Sequence, residues 1–279
     1  MSFANHHRSR WISPRRARKA LETGRGRGIK IAVIDSGIEL SHPALHHIRL
    51  VDDIVINAPW PEASLVITCS AGQGEDYSGH GTAVAAVIQK CAPEAQIGSF
   101  RVLDENNQCK SGKILAAAIL AIERGYHILN CSFGAKVTQK GLEGFKPWID
   151  AAYYHGVHVV SACGNGTIPV PELPAHFPSV VAVNMVSTAQ ETLFFQWSNK
   201  QHLKEINLVE FSARGVDLEL PGKNGTMVKR SGSSFAAPHV AGLLARLLSV
   251  YPELKPPVAK ALLQEIATPS ELLDAFGGE

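Results

Sequence analysis

Short apolar runs alternate with longer stretches of helical periodicity along most of this chain. The run over residues 29–34 is too short for a helix and predicts a buried strand. A helix opening on small residues is predicted over 80–90, a strand over 97–103 and an Ala-rich helix over 112–124. The pattern continues with a strand over 127–131, a helix over 146–155, and strands over 157–162 and 180–186. Ser233–Val250 is long and mostly apolar, as a helix buried inside a domain must be. This alternation predicts an α/β fold of three layers, a doubly wound, mostly parallel sheet with helices on both faces. Ligands in such sheets sit beyond the carboxyl ends of the strands, so residues just after strands are the ones to inspect.

Composition adds bounds. A chain of 279 residues, 45% hydrophobic, can build one large core. The expected organisation is a basic N-terminal extension over 1–13 and a single domain over 14–279. A formal net charge of +2 demands no polyanionic partner. Arg8, Arg10, Arg15, Arg16, Arg18, Lys19, Arg25, Arg27 and Lys30 nevertheless crowd the start. A basic arm of this kind can bind nucleic acid, but a solvated helix face with a frayed end is the plainer reading, so a nucleic-acid partner is not expected. No apolar run has the length of a membrane span and no secretory signal precedes the first strand, so no membrane partner is expected either. The five cysteines are an odd number without CxxC pairing, which points to reduced thiols and a cytoplasmic location.

Three positions after predicted strands or at helix starts carry useful chemistry. Asp35 follows the first strand in Ile34-Asp35-Ser36-Gly37, where its carboxylate can face a histidine; an Asp-x-Gly turn is the plain alternative. His80 opens a helix in Ser78-Gly79-His80-Gly81-Thr82, with glycines leaving its ring approachable. Ser234 lies at a helix N-terminus, in a field that favours developing negative charge; an N-cap serine is its plain alternative. Pro238 is expected in the first turn, where a missing N–H costs least.

Together these motifs resemble the subtilisin family of serine proteases. The matches are Val33-Ile34-Asp35-Ser36-Gly37, His80-Gly81-Thr82 and the run from Gly232-Ser233-Ser234-Phe235 through Ala236-Ala237-Pro238-His239-Val240-Ala241-Gly242. Ser233 and Phe235 stand where the family has Thr and Met. The resemblance implies a serine endopeptidase with Asp35, His80 and Ser234 as catalytic triad. Ser161-Ala162-Cys163-Gly164-Asn165-Gly166 is similar to the family's Ala-Ala-Gly-Asn loop, and implies that Asn165 joins the Ser234 N–H as oxyanion donor. Ser132-Phe133-Gly134-Ala135 looks like the family's segment beside an extended substrate, so Ser132, Phe133, Gly134, Ala162 and Gly164 are the implied substrate-binding residues. Glu172 aligns with the floor of the pocket for the residue preceding the cleaved bond (P1), which implies a preference for Lys or Arg there. If Cys163 in the same loop is reachable, thiol reagents should slow the enzyme.

The chain also departs from the family. Secreted members carry a calcium-binding loop after the catalytic histidine, whereas Val87 through Glu94 runs straight on here. No cofactor and no strong calcium site are therefore expected, and cation binding only at weak sites. The stretch 54–74 is expected to be an inserted surface loop. The lack of a prodomain in front fits an intracellular enzyme that folds unaided, or a chain trimmed after maturation; the expected substrates are polypeptides, with precursor peptides as one class. The rival reading is a catalytically silent pseudoprotease or peptide-binding module. A lipase-type hydrolase is disfavoured, since no G-x-S-x-G elbow surrounds Ser234.

Overall fold

A computed structural model describes residues 12–57, 68–165, 171–188, 193–197 and 210–269. Its strands are β1 (Lys30–Asp35), β2 (Leu50–Asn57), β3 (Thr68–Ala71), β4 (Gln96–Arg101), β5 (Ile128–Cys131), β6 (Ala135–Lys136), β7 (His158–Ala162), β8 (Glu172–Leu173), β9 (Val181–Val186), β10 (Phe195–Trp197), β11 (Phe211–Arg214), β12 (Leu218–Pro221), β13 (Met227–Arg230) and β14 (Thr268–Pro269). The helices are α1 (Pro14–Thr23), α2 (His80–Cys91), α3 (Ser111–Glu123), α4 (Gln139–His155), α5 (Ser233–Val250) and α6 (Pro256–Ile266). Ten strands form one sheet in the order β14-β10-β11-β9-β7-β5-β1-β4-β2-β3. The block from β11 to β2 is parallel throughout, with antiparallel β10 and β3 flanking it.

Strand β1 shows how the layers arise. Successive side chains of a strand face opposite sides of its sheet. Ile31 and Val33 join one core with residues of α2 and α5, while Ala32 and Ile34 join a second core with residues of α3 and α4. The expected three-layer α/β fold is the one observed. Helix α5 is buried along nearly its whole length between α2 and the sheet, as its all-round apolar sequence requires.

Three local expectations need correction. Helix α4 begins at Gln139, seven residues before the periodicity suggests, because the Thr138 hydroxyl accepts from the Gly141 N–H at 3.0 Å and Phe145 is buried. The stretch 54–74 is no plain surface loop. Its start belongs to β2, which pairs with β4 and buries Ile54 and Ile56, and its end belongs to β3; residues 58–67 lie outside the described ones. Helices α1 and α6 also went unanticipated as packed elements. Ala17, Ala20 and Leu21 of α1 are buried, while Arg15, Arg16, Arg18 and Lys19 face solvent. Arg25 and Arg27 grip Glu94 through their Nε atoms at 2.6 and 2.8 Å. Most of the expected extension over 1–13 lies outside the described residues.

Candidate active site

Parallel neighbours β1, β5 and β7 end on the same edge of the sheet, and the sequence-predicted groups converge beyond that edge. Asp35 is the last residue of β1 and fully buried; His80 is the first residue of α2. A Cβ on Gly81 would fall 2.2 Å from the Gly37 carbonyl oxygen, so only glycine lets this first helical turn rest on the Asp35-Ser36-Gly37 turn. The Asp35 Oδ1 accepts from His80 Nδ1 at 2.8 Å and from the Ser36 N–H at 2.8 Å. Since a carboxylate offers no proton, the imidazole carries its hydrogen on Nδ1 and leaves Nε2 as the acceptor. Burial pushes the His80 pKa down, but the charge and hydrogen bond of Asp35 push it up. Arg230 lowers it again and Asp76 raises it, with the result above the ordinary 6.5.

Ser234 is the second residue of α5, half-buried at the helix's positive end. The ring of the adjacent Phe235 lies 5.4 Å, centroid to centroid, from the His80 ring, so the start of α5 is seated against the imidazole. Pro238 sits in the second turn, not the first as expected. Lacking an N–H, it cannot bond the carbonyl four residues earlier, which belongs to Ser234. That carbonyl instead accepts from Ser132 Oγ at 2.8 Å, and Ser132 Oγ accepts from Asn130 Nδ2 at 3.0 Å. The proline thus frees a backbone group that ties the serine to the end of β5.

Asn165 follows β7 and is exposed. Its Oδ1 accepts from the Ser233 N–H at 2.8 Å and the Ser233 hydroxyl at 3.0 Å. A backbone N–H can only donate, so this contact fixes the amide's orientation and leaves Nδ2 as the donor end. Ser233, one residue before Ser234, thereby aims Asn165.

The Glu172 carboxylate lies against both expected substrate segments. Strand β6 pairs with β8 antiparallel, Lys136 opposite Glu172. A Cβ on Gly134 would fall 2.1 Å from Glu172 Oε2, and one on Gly164 3.1 Å from its Cδ. The Glu172 carboxylate therefore occupies space that two glycines, 30 residues apart in sequence, leave open. Burial raises its pKa, and among the described residues no lysine or arginine pairs with it. Gly134 is exposed, Phe133 packs partly into the α3/α4 core, and the Ala162 side chain is buried in the α2/α5 core. Only the backbone of Ala162 can meet a substrate.

Cys163 is buried, and burial together with the Glu172 charge pushes its thiol up to about 12. It is neither reachable nor nucleophilic, so the conditional expectation of thiol sensitivity has no basis there. All five cysteines are free thiols. Helix α2 runs unbroken over His80–Cys91 and β4 begins at Gln96. Residues in that segment do not fit a calcium loop, and among the described residues no three His, Cys, Asp or Glu side chains cluster as metal ligands. No helix among them is long and apolar enough to cross a membrane. Reading the sequence did not single out Asp76, which is buried four residues before His80 and bonded on both sides of the turn. An aspartate ahead of a Ser-Gly helix start was the available signal.

The model of the Subtilase family matches residues 26–278. Subtilisin E of Bacillus subtilis (strain 168) is 28% identical over 256 residues, covering 87% of this chain, which spans 61% of that protein's length. Thermitase of Thermoactinomyces vulgaris is 28% identical over 253 residues, covering 86% of this chain and 83% of its own. Among solved structures, Sphericase superposes with a TM-score of 0.70 at 24% identity, covering 93% of this chain and 91% of its own. A cold adapted subtilisin-like serine proteinase gives 0.66 at 22% identity, covering 87% and 83%. These two likenesses concern the fold. The family match over nearly the whole chain makes this chain a member of the subtilase family.

Proposed function

We propose that this chain is a serine endopeptidase acting on polypeptides. The observation that carries the reading is the Asp35–His80 contact of 2.8 Å with the Ser234 end of α5 packed against the same imidazole. Ser234 attacks the scissile carbonyl while His80 Nε2 takes its proton, and Asp35 holds the Nδ1–H tautomer and stabilises the imidazolium. Charge on the carbonyl oxygen is met by the Ser234 N–H and by Asn165 Nδ2. His80 then gives its proton to the leaving amine, and water hydrolyses the acyl-enzyme on Ser234 by the same relay. Substrate on the acyl side lies extended along 132–134 and 162–164, pairing through backbone groups.

We further propose a preference for Lys or Arg at P1. A half-buried carboxylate that finds no cationic partner among the described residues is unfavourable by itself, and a cationic P1 side chain would supply the counter-charge. Restriction of this kind suits precursor processing in the cytoplasm, and five free thiols suit a reducing compartment. Activity without tightly bound calcium belongs to the same proposal. The rival, a silent peptide-binding protein, predicts binding without turnover.

The test is a library of fluorogenic peptides varied at P1, offered to wild type and to Ser234→Ala. Cleavage by wild type alone, fastest after Arg and Lys, is the expected result. Equal cleavage by both proteins would remove Ser234 from the mechanism. Faster cleavage after Phe or Leu would remove the basic preference. Binding of peptides by folded wild type without turnover would establish the rival.

A further inference from the structure

We propose that Asp76 is a positioning residue that locks Asp35 and His80 into one unit, a role that rests on the endopeptidase reading above. Asp76 is 6% exposed. Its Oδ1 accepts from Ser36 Oγ at 2.7 Å, the Ser78 N–H at 3.0 Å and the Gly79 N–H at 2.9 Å. Its Oδ2 accepts from the Thr82 N–H at 2.8 Å and the Thr82 hydroxyl at 2.6 Å. One carboxylate therefore holds the turn before His80 and the helical turn after it.

Ser36 extends that grip to Asp35. Its hydroxyl oxygen accepts from the Gly81 N–H at 3.1 Å and lies 3.0 Å from Ser78 Oγ, whose own proton has a nearer acceptor in Asn107 Oδ1 at 2.7 Å. Since a carboxylate can only accept, the single Ser36 proton points at Asp76 Oδ1 at 2.7 Å, with Asp35 Oδ1 at 3.2 Å as the more distant second acceptor. The oxygen of Asp35 that faces the shared hydroxyl is the one bonded to His80 Nδ1. Asp76, Ser36, Asp35 and His80 thus form a closed ring of hydrogen bonds and backbone. Asp76 also adds negative charge near His80, whose other charged neighbours are Asp35 from β1 and Arg230 from β13.

Two variants separate positioning from bulk stability. Asp76→Asn keeps the shape, removes the charge and turns one acceptor into an NH₂ facing donors. Ser36→Ala cuts the bridge to Asp35 while leaving the Asp76 bonds to residues 78, 79 and 82. Each is expected to lower kcat about ten- to a hundredfold with KM within about twofold, since small displacements of catalytic groups cost rate rather than binding. In ¹⁵N-histidine NMR, the His80 resonance identified by its loss in His80→Ala is expected to titrate at lower pH in Asp76→Asn than in wild type.

Wild-type kcat in either folded variant, or a loss confined to KM, would overturn the proposal. If Asp76→Asn does not fold, Ser36→Ala decides alone. The titration does not depend on turnover. An inactive wild type whose His80 still shifts in Asp76→Asn would sink the endopeptidase reading but leave the Asp76–His80 coupling standing. An active wild type with unshifted His80 would do the reverse.

Discussion

At the scale of single residues, most of the site rests on groups that hold other groups. Asn165 is useful because Ser233 consumes its carbonyl and presents its amide. Asn165→Ala is expected to lower kcat about 10²–10³-fold with little change in KM, the size of effect measured for an oxyanion donor in a subtilisin. An unchanged kcat would mean that Nδ2 does not meet the developing charge. Glu172→Gln keeps volume and removes charge, so the rate ratio of Arg to Leu at P1 should fall at least about tenfold while Leu peptides are cleaved as before. A ratio that does not move would place P1 selection elsewhere. The side chains Asp35, His80 and Ser234 were legible in the sequence because each lies in a short local motif. Asp76 was not, because its partners Ser36 and Thr82 lie on opposite sides of it in sequence and meet only after folding.

Among the elements, α5 and α1 show how helix ends are secured. Pro238 leaves the Ser234 carbonyl for Ser132, so a helix defect becomes a tether. Arg246, deep in α5, is buried, and its guanidinium donates to the Leu21 and Glu22 carbonyls at the end of α1 and to the Cys91 carbonyl at the end of α2. Terminal carbonyls of a helix lack intrahelical donors, and a cation there also meets the negative end of the dipole. Arg246→Met should destabilise the fold by roughly 3 kcal/mol, because buried acceptors lose their donors at about 1–3 kcal/mol each. In a domain of this size that lowers Tm by roughly 6–12 °C, with kcat at 20 °C unchanged. A Tm within about 2 °C of wild type would show that water replaces the guanidinium without loss. The periodicity of α5 predicted its burial, but no local pattern reveals which distant carbonyls a buried arginine serves.

For the whole molecule, burial of histidines sets the response to acid. His158 and His239 are buried, and burial pushes each pKa down to about 4. An unfolded histidine titrates near 6.5, so the unfolded chain binds these two protons first. The stability they contribute is complete above about pH 6.5 and is lost as pH falls toward 4, at no more than about 1.4 kcal/mol per pH unit for each. His80 acts with opposite sign. Its raised value contributes stability that is present below about 6.5 and disappears as pH rises through its folded pKa. The large shifts of His158 and His239, with His127 lowered by burial in the same sense, outweigh the raised His80, Glu172 and Glu210. The urea midpoint should therefore be lower at pH 5 than at pH 7. An equal or higher midpoint at pH 5 would contradict the neutral burial of His158 and His239. Neutral His80 is needed for general-base action, so the acid limb of kcat/KM should lie above pH 6.5.

The sequence by itself determined the layered α/β class, the burial of α5 and the three motif positions that carry Asp35, His80 and Ser234. Those properties are local, written in hydrophobic period and in short runs of neighbouring residues. Tertiary structure alone decided which end of Asn165 is free, that the Glu172 carboxylate fits between Gly134 and Gly164, and that Asp76 ties the His80 turn to Asp35. It also decided that β2 and β3 extend the sheet where a loop was expected. Each of these depends on hydrogen-bond direction or close approach between segments far apart in the chain, and such geometry exists only once the core has packed.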